Sequence, residues 1–174
     1  LEFTAEEADF EKIMTVIKAI RNRRAEMNVP PSRKAKVFIV SADNAHSVHP
    51  NHPELSDPTN KVFMNKGVVI KRNANERYTT DAISEAVIIN ACEKAGVPYQ
   101  YYTNRSNQRG GGTLGAISSS KVSVTSVDIG LAQLAMHSST ETAGVKDYEY
   151  MEKALKAFYE SNFYKVDDNN FQIK

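Results

Sequence analysis

The chain has 174 residues, of which 41% are hydrophobic and 25% charged, a composition that points to one soluble globular domain and away from fibrous or disordered classes. Its formal net charge of +1 and sequence pI of about 8.0 create no long-range field that would select nucleic acid or an acidic membrane as partner. The single cysteine, Cys92, cannot form an internal disulfide, no apolar run is long enough for a signal peptide or membrane span, and a reducing, cytoplasmic setting is expected.

From Thr4 to about Met27, the residues Phe10, Ile13, Met14, Ile17 and Ile20 recur at helical spacing, with Thr4 and Glu7 placed as a capping box. Pro30 and Pro31 cannot continue this helix, and the run Lys36-Val37-Phe38-Ile39-Val40-Ser41 predicts a strand. A loop rich in histidine, proline and asparagine follows through Asn60, then an extended stretch around Val68-Val69-Ile70. Thr80-Asp81 open a second helix with Ile83, Ala86, Val87 and Asn90 on its face, ending at Gly96 with Pro98 beyond. Tyr99 to Thr103 predict a strand. The turn Gly110-Gly111-Gly112 leads through Thr113 to Ile117 and into a strand over Lys121 to Val127, and another strand around Leu131 to Met136 delivers His137. Asp147 starts a last amphipathic helix with Met151, Leu155 and Phe158 inward, and a polar tail follows. The expected fold is α/β, a mixed, partly parallel sheet with flanking helices.

Two resemblances divide the chain. Ile17 to Ser32, with Arg21-Asn22-Arg23-Arg24 and Asn28-Val29-Pro30-Pro31-Ser32, resembles the C-terminal, anticodon-binding region of valyl-tRNA synthetase, over about residues 3–39. From about Ser41 to Ser161 the chain resembles instead the aspartyl aminopeptidase, or aminopeptidase I, zinc metallopeptidase family. The motifs that carry this likeness are Ser41-Ala42-Asp43-Asn44-Ala45-His46, His49-Pro50-Asn51-His52-Pro53, Val69-Ile70-Lys71 with Asn73-Ala74-Asn75 and Arg77-Tyr78, Arg109-Gly110-Gly111-Gly112-Thr113-Leu114-Gly115, and Asp128-Ile129-Gly130 leading to Ala135-Met136-His137-Ser138. Together they imply an engineered chimera joined within the strand near Phe38 to Ser41, the alternative being a natural family member whose first segment converged on the same pattern. The chimera's parts would be a synthetase-like segment (1–40), a partial aminopeptidase-like, phosphorylase/hydrolase-like catalytic domain (41–163) and a tail (164–174), in one folded unit.

The aminopeptidase resemblance implies that Asp43 ligates one zinc-like ion and His137 another, and that His46, Lys71 and Tyr78 bind peptide substrate with an acidic N-terminal residue. It also implies a bridging aspartate, a further histidine ligand and a glutamate base upstream, yet no histidine precedes Ser41. Glu6-Glu7 fits the ordinary acidic first turn of a helix. No catalytic residue is therefore assigned, and the chain is expected to be inactive alone; a residual or complemented aminopeptidase is the alternative. His49 and His52 read as loop residues rather than ligands, because Pro50 and Pro53 prevent one helical face. The basic stretch Lys18 to Lys36 keeps open a weak RNA-binding module, although it lacks aromatics for base stacking, and nucleic acid is not the expected partner. Homo-oligomerisation through an exposed sheet edge is expected, and a membrane partner is not.

Overall fold

The computed structural model describes residues 14, 15, 18, 19, 21–23, 25, 26, 28, 37–108, 110–121, 123–165 and 171–173. The chain divides into two compact units, Leu1–Lys36 and Val37–Lys174. In the first, the described residues between 14 and 26 are helical, with Lys18, Arg21 and Arg23 exposed and Arg23 bonded to Glu26 at 2.7 Å. The expected capping box at Thr4 and Glu7, and the apolar positions Phe10, Ile13, Ile17 and Ile20, lie outside the described residues. Among the described residues, no helix is long and apolar enough to cross a membrane.

The second unit is built on a four-stranded mixed sheet. Its strands are β1 (Phe38–Ala42), β3 (Val68–Arg72), β4 (Tyr99–Thr103) and β5 (Thr125–Gly130), in the order β1-β5-β3-β4. β1 runs parallel to β5 and β3 parallel to β4, whereas β3 and β5 are antiparallel. A smaller sheet, β2-β6-β7, is formed by β2 (Ala45–His46), β6 (Ala132–Leu134) and β7 (Thr142–Ala143). The helices are α1 (Ala82–Ala95), α2 (Leu114–Lys121) and α3 (Val145–Glu160).

Strand alternation sends Val68, Ile70, Val127 and Ile129 to one face of the sheet, where they join Ile88 and Cys92 of α1 and Ala154 of α3 in the main core. Met151, Leu155 and Phe158 pack against this cluster as expected. The alternate positions Ser41, Val69, Lys71 and Asp128 turn to the other face, and there Val69 packs with Ala45, Val62 and Ala132 in a second, smaller cluster. The polar members of that second face make the site.

Several elements differ from expectation. α1 begins and ends where its caps require: the Asp81 carboxylate accepts from the Ser84 amide at 2.7 Å, and Gly96 closes the helix in the left-handed conformation. Its buried face, however, is Ser84, Val87, Ile88, Ala91 and Cys92, with Ile83 exposed. Apolar residues surround this helix on most sides, so periodicity alone does not choose the inward one. Residues Leu114–Lys121 are helical, and the strand after them starts at Thr125 rather than Lys121. Leu114 and Ile117 of α2 are exposed, and its glycine and three serines are weak helix formers, so little in the segment signals a helix. The strand expected over Leu131 to Met136 is only Ala132–Leu134, because Ala135 turns into positive φ. The tail contributes an antiparallel pair, β8 (Phe163–Lys165) and β9 (Phe171–Ile173), with the Phe163 ring 5.8 Å from that of Phe38.

Asp147, in the first turn of α3, is fully buried and accepts from the Asn65 amide at 2.5 Å and the Gly67 amide at 2.8 Å. Asn65 returns the bond through its Oδ1, which accepts from the Lys146 amide at 3.0 Å. This clamp ties the helix start to the turn entering β3. Hydrogen bonds to a buried carboxylate contribute roughly 1.5–3 kcal/mol each, and loss of the carboxylate also orphans two amides. Asp147→Ala is therefore expected to lower unfolding stability by about 3 kcal/mol in urea titrations, whereas exposed Tyr148→Ala, one residue on, is expected to change it by less than about 0.5 kcal/mol.

Candidate functional site

The two sheets meet at a bend. β1 runs into β2 through Asp43 and Asn44, and β5 runs into β6 through Leu131, so two parallel strands leave the main sheet together. The Asp43 amide donates to the Ile129 carbonyl at 2.9 Å and the Ala45 amide to the Leu131 carbonyl at 2.8 Å. Asn44 fastens the bend on both sides, its Nδ2 donating to Gln133 Oε1 at 2.7 Å and its Oδ1 accepting from the Leu131 amide at 3.2 Å. A Cβ at Gly130 would lie 2.0 Å from the Asp43 carbonyl oxygen, so only glycine lets the two backbones pass this closely.

The bend exposes backbone carbonyls to the end of β3, and Lys71 uses them. Its side chain is 3% exposed, and its Nζ donates to Asp43 O at 3.1 Å, Asn44 O at 3.2 Å and Asp43 Oδ2 at 3.3 Å. The Tyr78 ring lies over the same ammonium, 4.9 Å from Nζ to centroid, and the Tyr102 ring stands 6.2 Å from Tyr78. A buried ammonium requires this degree of compensation, since an unpaired one would cost many kcal/mol. The Tyr78 phenol is pushed up strongly, first by burial and then by Tyr102, Asp128 and Asp43, and stays neutral through the physiological range.

Around this group lies a pocket of about 370 Å³ whose lining includes Asp43, His46, Lys71, Tyr78 and His137. The five residues singled out from the sequence thus come from separate elements to one concavity. His137 sits just beyond β6 with φ of 68°, after Ala135 at 56°. Two non-glycine residues in the left-handed region within three positions are costly. The turn is held by the Glu141 carboxylate, which accepts from the His137 amide at 2.6 Å. His46 keeps one side open to solvent, yet its ring is pushed below its ordinary pKa by partial burial, then by His137 and Lys71, with Asp43 opposing. A neutral His46 can accept a hydrogen bond from an incoming group.

His49 and His52 lie on the same rim, their rings 5.4 Å apart, and His52 Nδ1 meets Glu54 Oε1 at 3.2 Å. That places them as pocket-edge loop residues. Arg105 also lines the rim and donates to the Glu54 carbonyl. The sequence reading assigned no role to Asn44, Tyr102 or Arg105; the polar residue directly after a strand end was the available signal for Asn44. Arg109 lies outside the described residues.

Asp43 and His137 are donors of the right chemical kind for zinc, but they are two, and zinc takes three protein ligands even in open catalytic sites. Among the described residues, no group of three or more histidine, cysteine, aspartate or glutamate side chains could hold a metal ion. The described residues alone do not fit a complete zinc centre.

Residues 5–159 match the sequence model of a family described as aminopeptidase I zinc metalloprotease (M18). A probable M18 family aminopeptidase 2 of Clostridium novyi is 50% identical over 125 residues, which are 72% of this chain and 29% of that protein. The crystal structure of yeast aminopeptidase 1 superposes with a TM-score of 0.62 at 28% identity, covering 71% of this chain and 27% of that one. A dodecameric mApe1 of S. cerevisiae shares the fold, with a TM-score of 0.66 at 24% identity over 83% of this chain and 32% of its own. The chain thus spans less than a third of the length of the curated relative it matches. The family match also spans the expected joint at Phe38 to Ser41 and nearly all of the synthetase-like segment. The comparisons give no support to a valyl-tRNA synthetase origin for that segment, or to a chimera.

The electrostatic causes at His46 are separable by titration. Its imidazole is expected to titrate below 6.5 in ¹H NMR, and His137→Ala, which removes the largest charge contribution named above, is expected to raise the midpoint. A midpoint above 6.5, or one unmoved by His137→Ala, contradicts the pocket electrostatics described here.

Proposed function

Because this chain belongs to the aminopeptidase I zinc metalloprotease family, we propose that its pocket receives the N-terminal end of a peptide whose first residue is acidic. We assign His46, Lys71 and Tyr78 to that binding. Asp43 and His137 each give one ligand to a zinc centre whose other ligands lie outside the described residues. The observation that carries this reading is the convergence of the five residues on one pocket. A zinc centre completed by further ligands would be held in part by Asp43 and His137 and would supply polarisation of the scissile carbonyl and a hydroxide nucleophile.

The chain's own residues bind and orient. Lys71 offers a desolvated ammonium to a carboxylate, and a ligand oxygen would take the place that Asp43 Oδ2 holds at 3.3 Å. Asp43, 58% exposed on its side chain, is then freed toward a metal. Neutral Tyr78 closes one wall and keeps water from the ammonium, which strengthens the charge pairing. His46 accepts a proton-bearing group at the opposite side. Peptide hydrolysis by this chain is expected to require further ligands, supplied by other residues or by another chain. A homo-oligomeric state follows the dodecamer of the S. cerevisiae relative and is proposed on that basis.

The test is complementation. The chain alone with zinc is expected to release little or no product from an aspartyl anilide, whereas mixing it with the upstream part of a family relative is expected to give hydrolysis. Asp43→Ala and His137→Ala should each reduce that hydrolysis at least a hundredfold, the upper range for loss of a group acting on the metal. Rescue that is indifferent to both substitutions would reject the ligand assignment.

A further inference from the structure

The second face of the sheet holds one carboxylate that the pocket does not use directly. Asp128 lies inside β5, between Val127 and Ile129, and is 0% exposed. An apolar side chain would satisfy the strand as well, and a buried carboxylate is costly unless donors surround it. Its donors come from one short segment: the Thr79 amide at 2.7 Å and the Thr79 hydroxyl at 3.0 Å, both to Oδ2. The backbone of Asp128 repeats the tie, its amide donating to Thr80 Oγ1 at 3.0 Å. Its other oxygen, Oδ1, has no hydrogen-bond partner among the described residues. The start of α2 is pressed against the same carboxylate, since a Cβ at Gly115 would lie 2.9 Å from Oδ2 and 3.0 Å from Oδ1.

We propose that Asp128 is a positioning residue for the substrate pocket: it holds the Thr79–Thr80 segment so that Tyr78 stays stacked over Lys71. Tyr78 immediately precedes Thr79. At the far end of the connection from β3, the turn is kept by local bonds, such as the Asn75 amide to Asn73 Oδ1 at 2.8 Å, and by one amide pair, Asn73 Nδ2 to Asn104 Oδ1 at 3.3 Å. The charged anchor to the central strand is therefore at the Thr79 end, and charge-assisted bonds are about twice as strong as neutral ones. Gly115 belongs to the same device, because its lack of a side chain leaves room for the carboxylate. The consequence for ligand affinity rests on the peptide-binding reading above; the stacking of Tyr78 on Lys71 does not.

The test reads these separately. In the wild-type chain, the Tyr78 ring current is expected to shift the Lys71 ε-methylene ¹H NMR signal upfield, the signal being assigned with Lys71→Arg. Asp128→Ala is expected to return it towards the free-lysine position. Asp128→Asn, which keeps an acceptor for the Thr79 amide, should restore at least half of the shift, and the core control Val97→Ala should leave it unchanged. If Asp128→Ala does not fold, Thr79→Val carries the test, with a partial loss expected. An unchanged Lys71 signal in the folded Asp128→Ala, or in Thr79→Val where that is the variant used, overturns the proposal. In parallel, calorimetry with aspartyl-alanine is expected to show binding about tenfold weaker in Asp128→Asn than in wild type, as loss of a charged hydrogen-bonding anchor implies. Absence of binding by the wild-type chain itself would reject the peptide-binding reading, while the Lys71 signal still decides the positioning role.

Discussion

An ammonium buried beneath the end of a sheet is the constraint on which the rest of this site depends. Lys71 can be inside the protein only because two backbone carbonyls, one carboxylate oxygen and an aromatic face are brought to it. The carbonyls of Asp43 and Asn44 point its way because β1 bends out of the main sheet at those residues. That bend is sterically possible because Gly130 has no side chain to meet the Asp43 carbonyl. A glycine in one strand thus sets the backbone of its neighbour, and that backbone sets the charge of the pocket. The same bend brings Asp43 to the pocket, which His137, just beyond β6, also lines.

The chain belongs to the aminopeptidase I zinc metalloprotease family and spans less than a third of the length of the curated relative it matches. The pocket brings together a desolvated cation, a neutral phenol and a depressed imidazole. The metal donors proposed among the described residues are two, the Asp43 carboxylate and the His137 imidazole.

Much of this was legible in the sequence, for identifiable reasons. Asp81 and Gly96 bracket α1 because capping is a local chemical requirement. Tyr99 to Thr103, with three tyrosines between a proline and an asparagine, reads directly as β4. The inward face of α1 was not readable, since Ile83, Val87, Ile88 and Ile89 offer apolar atoms in several directions. α2 escaped because its glycine and three serines are weak helix formers. β8 and β9 escaped because an isolated Phe163 and Phe171 in a polar stretch carry no alternation. At the site, the motif residues Asp43, His46, Lys71, Tyr78 and His137 were found by family likeness, and the fold brings them to one pocket. Asp128 and Asn44 were not assigned, because a polar residue inside or just after a strand looks like a break in pattern until its partners are known. The likeness of the first segment to a synthetase was local in sequence, and the family match across it removes the need for a second parent.

Lys71 is proposed to exchange its own Asp43 carboxylate for that of a ligand. A crystal structure of the chain with aspartyl-alanine and zinc tests it most directly. The acidic side chain is expected on Lys71 Nζ, with the Tyr78 ring retained over that ammonium and Asp43 Oδ2 withdrawn towards His137. A dipeptide seated elsewhere, with Lys71 still bonded to Asp43, would contradict it.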